Sequence, residues 1–380
     1  MRGHIRKRGQ NSWEIKFEVE RTDGKRQTRY KSFKGTRREA HAELSRLLVQ
    51  AQTGGFVDPD KLTLAEYARA RVAHWRATGI VGAKGAERYS ELVEYQLTPF
   101  LGTRLLQKLR SDDVEVWHTH LLTRGRLDGT GGLSTRTVGH AHKLLKRVLR
   151  DAARSGLVLK NVAAEVKAPK IVAPEMRILS PRQVKDLPAM LAGRDIWAPA
   201  VVALFTGMRR GELLALRWPD VDLAGKTIRI HAALEQTVAH GTRFKDTKTK
   251  SGVRVIALPE IVVETLREHH RQQLEMRLAL GLGKAPHDAL VFPAPGTERL
   301  WNPDVFSGLW KDVETELRLG VSFHALRHTH ASQLIAAGVP ITEIAHRLGH
   351  ASPTTTLSIY AHLFRKDDSK AAAAINAALT

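Results

Sequence analysis

Two breaks in an otherwise periodic chain limit what it can fold into. Thr53-Gly54-Gly55 with Asp58-Pro59, and Ala168-Pro169 through Pro174, carry turn formers and no hydrophobic period, so neither builds an element. They divide the 380 residues into three stretches with different periods. In the first, Trp13, Ile15, Phe17 and Val19 alternate with polar residues, which is the period of a strand. Asp23-Gly24 marks a tight turn, and Arg26 to Phe33 supplies another strand. Thr36-Arg37-Arg38-Glu39 is a capping-box pattern, followed on one helical face by Ala40, Leu44, Leu47, Leu48 and Ala51. Residues 1–55 are therefore expected to be two or three strands packed on one helix.

Residues 60–168 have a helical period instead. Leu64-Ala65-Glu66-Tyr67 opens one helix. Tyr89, Leu92, Val93 and Gln96 share the face of another, and Ser111-Asp112-Asp113-Val114 starts a third. Asp128-Gly129-Thr130-Gly131-Gly132 reads as a loop. Ser134-Thr135 then caps a long basic helix whose buried stripe is Val138, Leu145, Val148, Leu149 and Ala152. After the second break, Ser180-Pro181-Arg182-Gln183 combines a capping box with proline at the first helical position. It opens the largest stretch, residues 175–380, expected as helix, a short hairpin at about 226–258, then helices to the end. The fold class expected is α+β and mostly α.

Charge narrows the partners. The chain has 60 Lys and Arg against 39 Asp and Glu, a net of +21. Such an excess points to a polyanion, nucleic acid first, with an anionic membrane surface as the rival. Residues 1–52 alone hold 14 basic and 6 acidic side chains. A basic β-ribbon of this kind can enter a major groove, which makes Arg6, Lys7, Arg8, Lys16, Arg29 and Lys31 candidate DNA contacts. Arg136, Lys143, Lys146, Arg147 and Arg150 on the long helix are a second candidate set; the plain alternative for both is a solvated face. There is no cysteine, which removes disulfide scaffolds, cysteine zinc sites and thiol nucleophiles. No apolar run reaches the length of a membrane span, and the start, Met1 to Arg8, lacks the apolar core of a signal peptide. A cytoplasmic location is expected, with no membrane partner.

The chemistry-bearing residues lie in four segments of the last stretch: Leu204 to Leu213 with Arg209, Lys245 to Pro259 with Lys248, His324 to Ser332 with Arg327, and Arg347 to His350 with Tyr360 ten residues on. Arginine clamps phosphate oxygens with two parallel bonds and keeps its charge. Lysine can protonate an alkoxide leaving group, and histidine can move a proton near neutral pH. A tyrosine hydroxyl is a nucleophile once its proton leaves, and cationic neighbours are expected to lower its pKa. Such a set suits a phosphodiester attacked by tyrosine without a metal. His324, His328 and His330 also allow a metal cluster, but the motif offers no glutamate between them of the kind HExxH uses, so no metal is expected. The plain reading of His328 and His330 is helix packing and capping.

The order Arg, Lys, HxxR, His, Tyr resembles the tyrosine recombinase (phage integrase) family. Thr206-Gly207-Met208-Arg209-Arg210-Gly211-Glu212 looks like its first arginine box, Thr247 to Arg254 its β-hairpin lysine box, His324-Ala325-Leu326-Arg327 its HxxR box, and Leu348-Gly349-His350 through Tyr360 the box of the second histidine and nucleophile. Residues 1–55 and 60–168 also resemble the arm-binding and core-binding domains of three-domain integrases. The resemblance implies that Arg209 and Arg327 bind the nonbridging oxygens of the scissile phosphate and that Lys248 protonates the 5′-hydroxyl. It implies that His324 and His350 hydrogen-bond the phosphate, that Tyr360 forms a 3′-phosphotyrosyl link, and that Glu212 orients Arg209 from behind. Lys248 is favoured over Lys250 by its spacing to the following strand, with Lys245 also near the turn. Ala325 departs from the pattern, since the family often has aspartate there. No cofactor or ATP is implied. The partners implied are double-stranded DNA at core and arm sites, a homotetramer on that DNA, and an excisionase or a host DNA-bending protein. The tail, Ala371 to Leu379, is expected to dock on a neighbouring protomer through Ile375 and Leu379, with packing on its own domain as the plain alternative. The resulting function is site-specific recombination by the integrase of a prophage or other mobile element. The alternatives are a catalytically inactive DNA-binding relative and a type IB topoisomerase-like DNA-relaxing enzyme.

Overall fold

The computed structural model describes residues 3–20, 26–52, 61–171, 176–246 and 252–361, together with 376 and 379. The Asp23-Gly24 turn, the break at 53–59, Lys248 and Lys250, and all of the tail except Asn376 and Leu379 lie outside the described residues. The chain divides into two compact units, Met1–Ala173 and Pro174–Thr380.

The first unit opens with three antiparallel strands, β1 (Gly3–Gly9), β2 (Ser12–Glu20) and β3 (Arg26–Lys34), in that order across the sheet. The basic start of the chain is thus a paired strand. Helix α1 (Arg37–Gln52) lies on one face, where Ile15 and Phe17 meet Leu44 and Leu47. Its capping box is made as the sequence predicts: Glu39 N donates to Thr36 Oγ1 at 3.3 Å and Thr36 N to Glu39 Oε2 at 2.7 Å.

A helical bundle follows: α2 (Leu64–Ala77), α3 (Ala83–Leu92), a π turn at Val93–Leu97, α4 (Thr98–Leu101), α5 (Ser111–Arg124), α6 (Thr135–Arg154) and α7 (Val162–Glu165). Thr63 and Glu66 cap α2 reciprocally, and Ser134 Oγ caps α6 by accepting from Thr137 N at 3.2 Å. The bundle core, built on Trp75, Trp117, Leu144, Leu145 and Val148, shares no buried residue with the core under α1. Each buried indole is satisfied: Trp117 Nε1 donates to Gln96 O at 2.8 Å and Trp75 Nε1 to Asp151 Oδ2 at 3.0 Å. Asp151 also accepts from Arg71 at 2.8 Å. The one acid among the α6 cations therefore serves the bundle interior.

The second unit begins with α8 (Pro181–Met190), α9 (Trp197–Thr206) and α10 (Arg210–Leu214). Here the expected single hairpin is replaced by two small sheets. Strands β4 (Val221–Asp222), β5 (Thr227–Ile230) and β8 (Arg254–Ala257) form one, and β6 (Ala232–Thr237) pairs with β7 (Gly241–Asp246) in the other. The inner hairpin is thus inserted between the two strands of an outer one, with Ile228 opposite Ile256 and Ile230 opposite Arg254. Helices α11 (Glu260–Ala279), α12 (Pro303–Glu316), α13 (Phe323–Ala336), α14 (Ile341–Leu348) and α15 (Pro353–Tyr360) complete it. Helix α9 is apolar almost all round and buried, the spine on which α8, α10, α11 and α13 pack. Among the described residues no helix is long and apolar enough to cross a membrane.

Candidate active site

Two glycines bring the separated motifs together. Gly207 ends α9 and Gly349 ends α14, both in the left-handed conformation, with φ of 69° and 67°. Each turn aims its carbonyl at an arginine from elsewhere in the chain. Arg327 Nη1 donates to Gly207 O at 2.7 Å and its Nη2 to Leu348 O at 2.7 Å, while Arg209 Nη2 donates to Gly349 O at 2.9 Å. A side chain at either glycine would also collide: a Cβ at Gly207 would lie 2.7 Å from His330, and one at Gly349 2.7 Å from Arg254 Nη1.

One buried carboxylate organises the cations. Glu212, on α10, accepts from Arg209 N at 2.9 Å and from its Nη1 at 2.7 Å, so Arg209 is N-cap and ion-pair partner at once. From the other side Arg254 Nη2 donates to Glu212 Oε2 at 2.8 Å, and Arg254 Nε donates to Arg347 O at 2.8 Å. Burial pushes the Glu212 carboxyl up, but the Arg254 bond and charge, with Arg209, hold it below the usual carboxylate range. Burial, then Arg209, lowers Arg327 to about 9. It is still charged at neutral pH, yet its charge is under-compensated.

The histidines divide by role. His324 is depressed by burial and then by Arg327 and Arg209. His350 Nδ1 lies 2.7 Å from Thr356 Oγ1, and burial with the same arginines takes it to about 4. His330 Nε2 accepts from Arg347 Nε at 3.0 Å, and burial pushes it to about 3. His328 Nδ1 lies 2.7 Å from Tyr360 Oη. The three histidines of α13 thus face different partners. Among the described residues no cluster of His, Asp or Glu is arranged to hold a metal ion.

Tyr360 departs from expectation. It is 1% exposed, packed with Ala331, Ile344 and Leu348. Burial raises its hydroxyl to about 12, and the Arg327 charge offsets only part of that. The sequence-based expectation of a lowered pKa fails because desolvation outweighs the cation. Ala325, where the family pattern often has aspartate, sits in the apolar core. Lys245 is ion-paired with Glu235. Arg254, Thr356 and His328 belong to the site although no sequence motif gives them a role there. Arg254 carried a signal: a cation alternating with apolar residues in a strand must find a buried acid.

The candidate DNA contacts are split. Strand register puts Arg6 and Lys16 with His4 and Tyr30 on the open face of the sheet. Lys7, Arg29 and Lys31 are on the α1 side, where Lys31 pairs with Glu43 at 2.6 Å; Arg8 pairs with Glu14 at 2.8 Å. On α6, Arg136, Lys143, Lys146 and Arg150 are exposed. Arg147 instead lies over the Trp75 ring at 4.2 Å and donates to Tyr89 Oη at 3.2 Å.

The sequence matches the phage integrase family over residues 177–367. An integrase of Streptomyces ambofaciens is 30% identical, covering 86% of this chain and 82% of that protein. The chain belongs to the phage integrase family. A tyrosine recombinase XerC-like protein of Caldanaerobacter subterraneus is 27% identical over 97% of both chains. The fold is also that of the Tn1549 transposon integrase, solved with a circular-intermediate DNA, at a TM-score of 0.69 and 19% identity over 84% of this chain and all of that one. The protein is a site-specific DNA recombinase, an enzyme that breaks and rejoins DNA strands.

Proposed function

We propose that this recombinase is the integrase of a prophage or other mobile element, and that Tyr360 attacks the scissile phosphorus. The P–O5′ bond breaks, leaving a 3′-phosphotyrosyl enzyme and a free 5′-hydroxyl; attack by the partner strand's 5′-hydroxyl reverses the step on a new joint. The observation that carries this reading is the under-compensated cation cluster. Arg209, Arg254 and Arg327 gather around one carboxylate, Glu212, and burial already disfavours the Arg327 charge. An anionic phosphate supplies the missing charge, most of all when the transition state concentrates it on the nonbridging oxygens. Arg209 and Arg327 take those oxygens, Glu212 and the glycine carbonyls having fixed both guanidiniums in advance. His324 and His350 hydrogen-bond the phosphate and assist proton transfer. Lys248 protonates the leaving 5′ oxygen; the pairing of Lys245 with Glu235 supports Lys248 or Lys250 over Lys245 in that role.

Residues 1–55 act as the arm-type DNA-binding domain, 60–168 as the core-binding domain and 175–380 as the catalytic domain. The working form is a homotetramer on two duplexes, with its tail docked on a neighbour and with excisionase or a host DNA-bending protein as accessory partners, in the cytoplasm. The test is covalent trapping on a nicked suicide duplex. Wild type is expected to give a denaturation-resistant adduct, and Tyr360→Phe none, a loss of several orders of magnitude with DNA affinity nearly unchanged. An adduct at wild-type level from Tyr360→Phe eliminates the assignment.

A further inference from the structure

A buried phenol is poorly placed to attack a duplex. Attack needs oxygen and phosphorus about 3–3.5 Å apart, yet Tyr360 is enclosed by α13 and α14 and 1% exposed. A buried hydroxyl also needs a partner, and His328 Nδ1 provides it at 2.7 Å, the rings meeting edge to face at 64°. His328 follows Arg327 directly and lies one helical turn beyond His324, whose ring meets it edge-on at 4.9 Å. A proton on His328 would therefore add a positive charge beside Arg327 and the His324 ring. Burial, with those neighbours, takes His328 down to about 4, while burial takes Tyr360 up to about 12. Both groups are therefore neutral, and with the imidazole proton on Nε2 the phenol donates to Nδ1.

We propose that His328 is a positioning residue for the nucleophile: it holds the Tyr360 hydroxyl protonated and turned inward, through a hydrogen bond that must break before the phenol reaches a phosphate. The inference rests on Tyr360 being the nucleophile. The bond ties α15, eight residues long, to the helix that carries Arg327, so the resting protein keeps its phosphate-binding groups assembled and its nucleophile withdrawn.

The experiment is single-turnover adduct formation by the full-length chain on a nicked suicide duplex bearing its core attachment sequence, read from pH 6 to 9. His328→Ala is expected to form adduct about 3- to 10-fold faster, the size of one ordinary hydrogen bond's net contribution, with DNA affinity unchanged. The rate–pH curve keeps the wild-type shape, because the histidine does not carry the proton. His328→Asn, which restores an acceptor near the same place, returns the rate toward wild type. His328→Phe keeps a ring but offers no acceptor, and repeats the test if the alanine variant is unstable. A slower adduct, or loss of the acid limb of the profile, makes His328 a proton acceptor and overturns the proposal. An unchanged rate overturns it too. Adduct formation by Tyr360→Phe would instead remove the proposed nucleophile, a failure distinguishable from either result.

Discussion

Glu212 is a single carboxylate serving two guanidiniums, and its substitution separates structure from chemistry. Arg254 and Glu212 have side chains 1% and 4% exposed. Removing one partner of such a pair leaves the other charge buried and unpaired, which costs about 3–5 kcal/mol. Glu212→Gln is expected to lose about that much unfolding free energy in urea titrations, and strand cleavage with it as Arg209 loses its anchor. An unchanged midpoint would mean that water reaches Arg254. The same residues set the acid limit. Glu212 has a folded pKa below its unfolded value, so its contribution is present above the unfolded carboxylate range and fades as pH falls through the folded pKa. His328 and His350 at about 4 and His330 at about 3 are also depressed, so each takes up a proton more readily when unfolded. Their contribution is complete above about pH 6.5 and is lost from there toward pH 4 and below. Thermal melts should be flat from pH 7 to 9 and fall steeply below 6; a melting temperature constant down to pH 4.5 contradicts the buried neutral histidines. The order of Arg209, His324, Arg327, His350 and Tyr360 was legible in sequence because each sits in a short motif of fixed spacing. The Glu212–Arg254 pair was not, because its partners are 42 residues apart and only folding decides which acid meets which base.

The long basic helix α6 holds two kinds of cation. Arg136, His140, Lys143, Arg147, Arg150 and Arg154 recur every three or four residues, so they form one ridge. Arg147 is set apart by lying on Trp75 and Tyr89. Lys143→Ala and Arg150→Ala are expected to weaken DNA binding about equally on all sequences. Each should lower the salt slope by about one unit and leave stability within about 0.5 kcal/mol of wild type. Arg147→Ala is expected to cost about 1–2 kcal/mol of stability, because the guanidinium stacks in a partly desolvated place. Fluorescence anisotropy across a salt series, paired with urea titrations, separates the two; equal stability loss at Lys143 and Arg147 contradicts the division. Three helix starts were legible at this scale because Thr36, Ser134 and Ser180 announce them by side-chain chemistry, whereas the Thr63 cap of α2 emerged only in the structure. The two sheets of the second unit were not. Strands of two to six residues are too short to establish a period, and the nesting of one hairpin inside another is a tertiary fact.

At the scale of the molecule, the separate core beneath the N-terminal sheet has a consequence. Ile15, Phe17, Leu44 and Leu47 bury one another, and none belongs to the bundle core built on Trp75 and Trp117. Removing the sheet and α1 therefore takes away a whole apolar cluster and cuts into no other. Residues 1–52 also carry 14 of the chain's 60 basic side chains against 6 of its 39 acids. If this segment holds a second DNA site while the rest holds the core site, the two act through effective concentration, and joining them strengthens assembly without changing the chemistry of either. Deletion of residues 1–55 is then expected to leave adduct formation on a core half-site within about threefold of wild type, while recombination between full attachment sites falls at least 100-fold. Salt discriminates further. The full-length protein on a two-site substrate neutralises more phosphates than the truncated one on a core site, so its affinity should fall more steeply with ionic strength. Matched slopes, or a truncated protein that recombines as well as the whole chain, would leave the sheet as a basic accessory with no DNA site of its own.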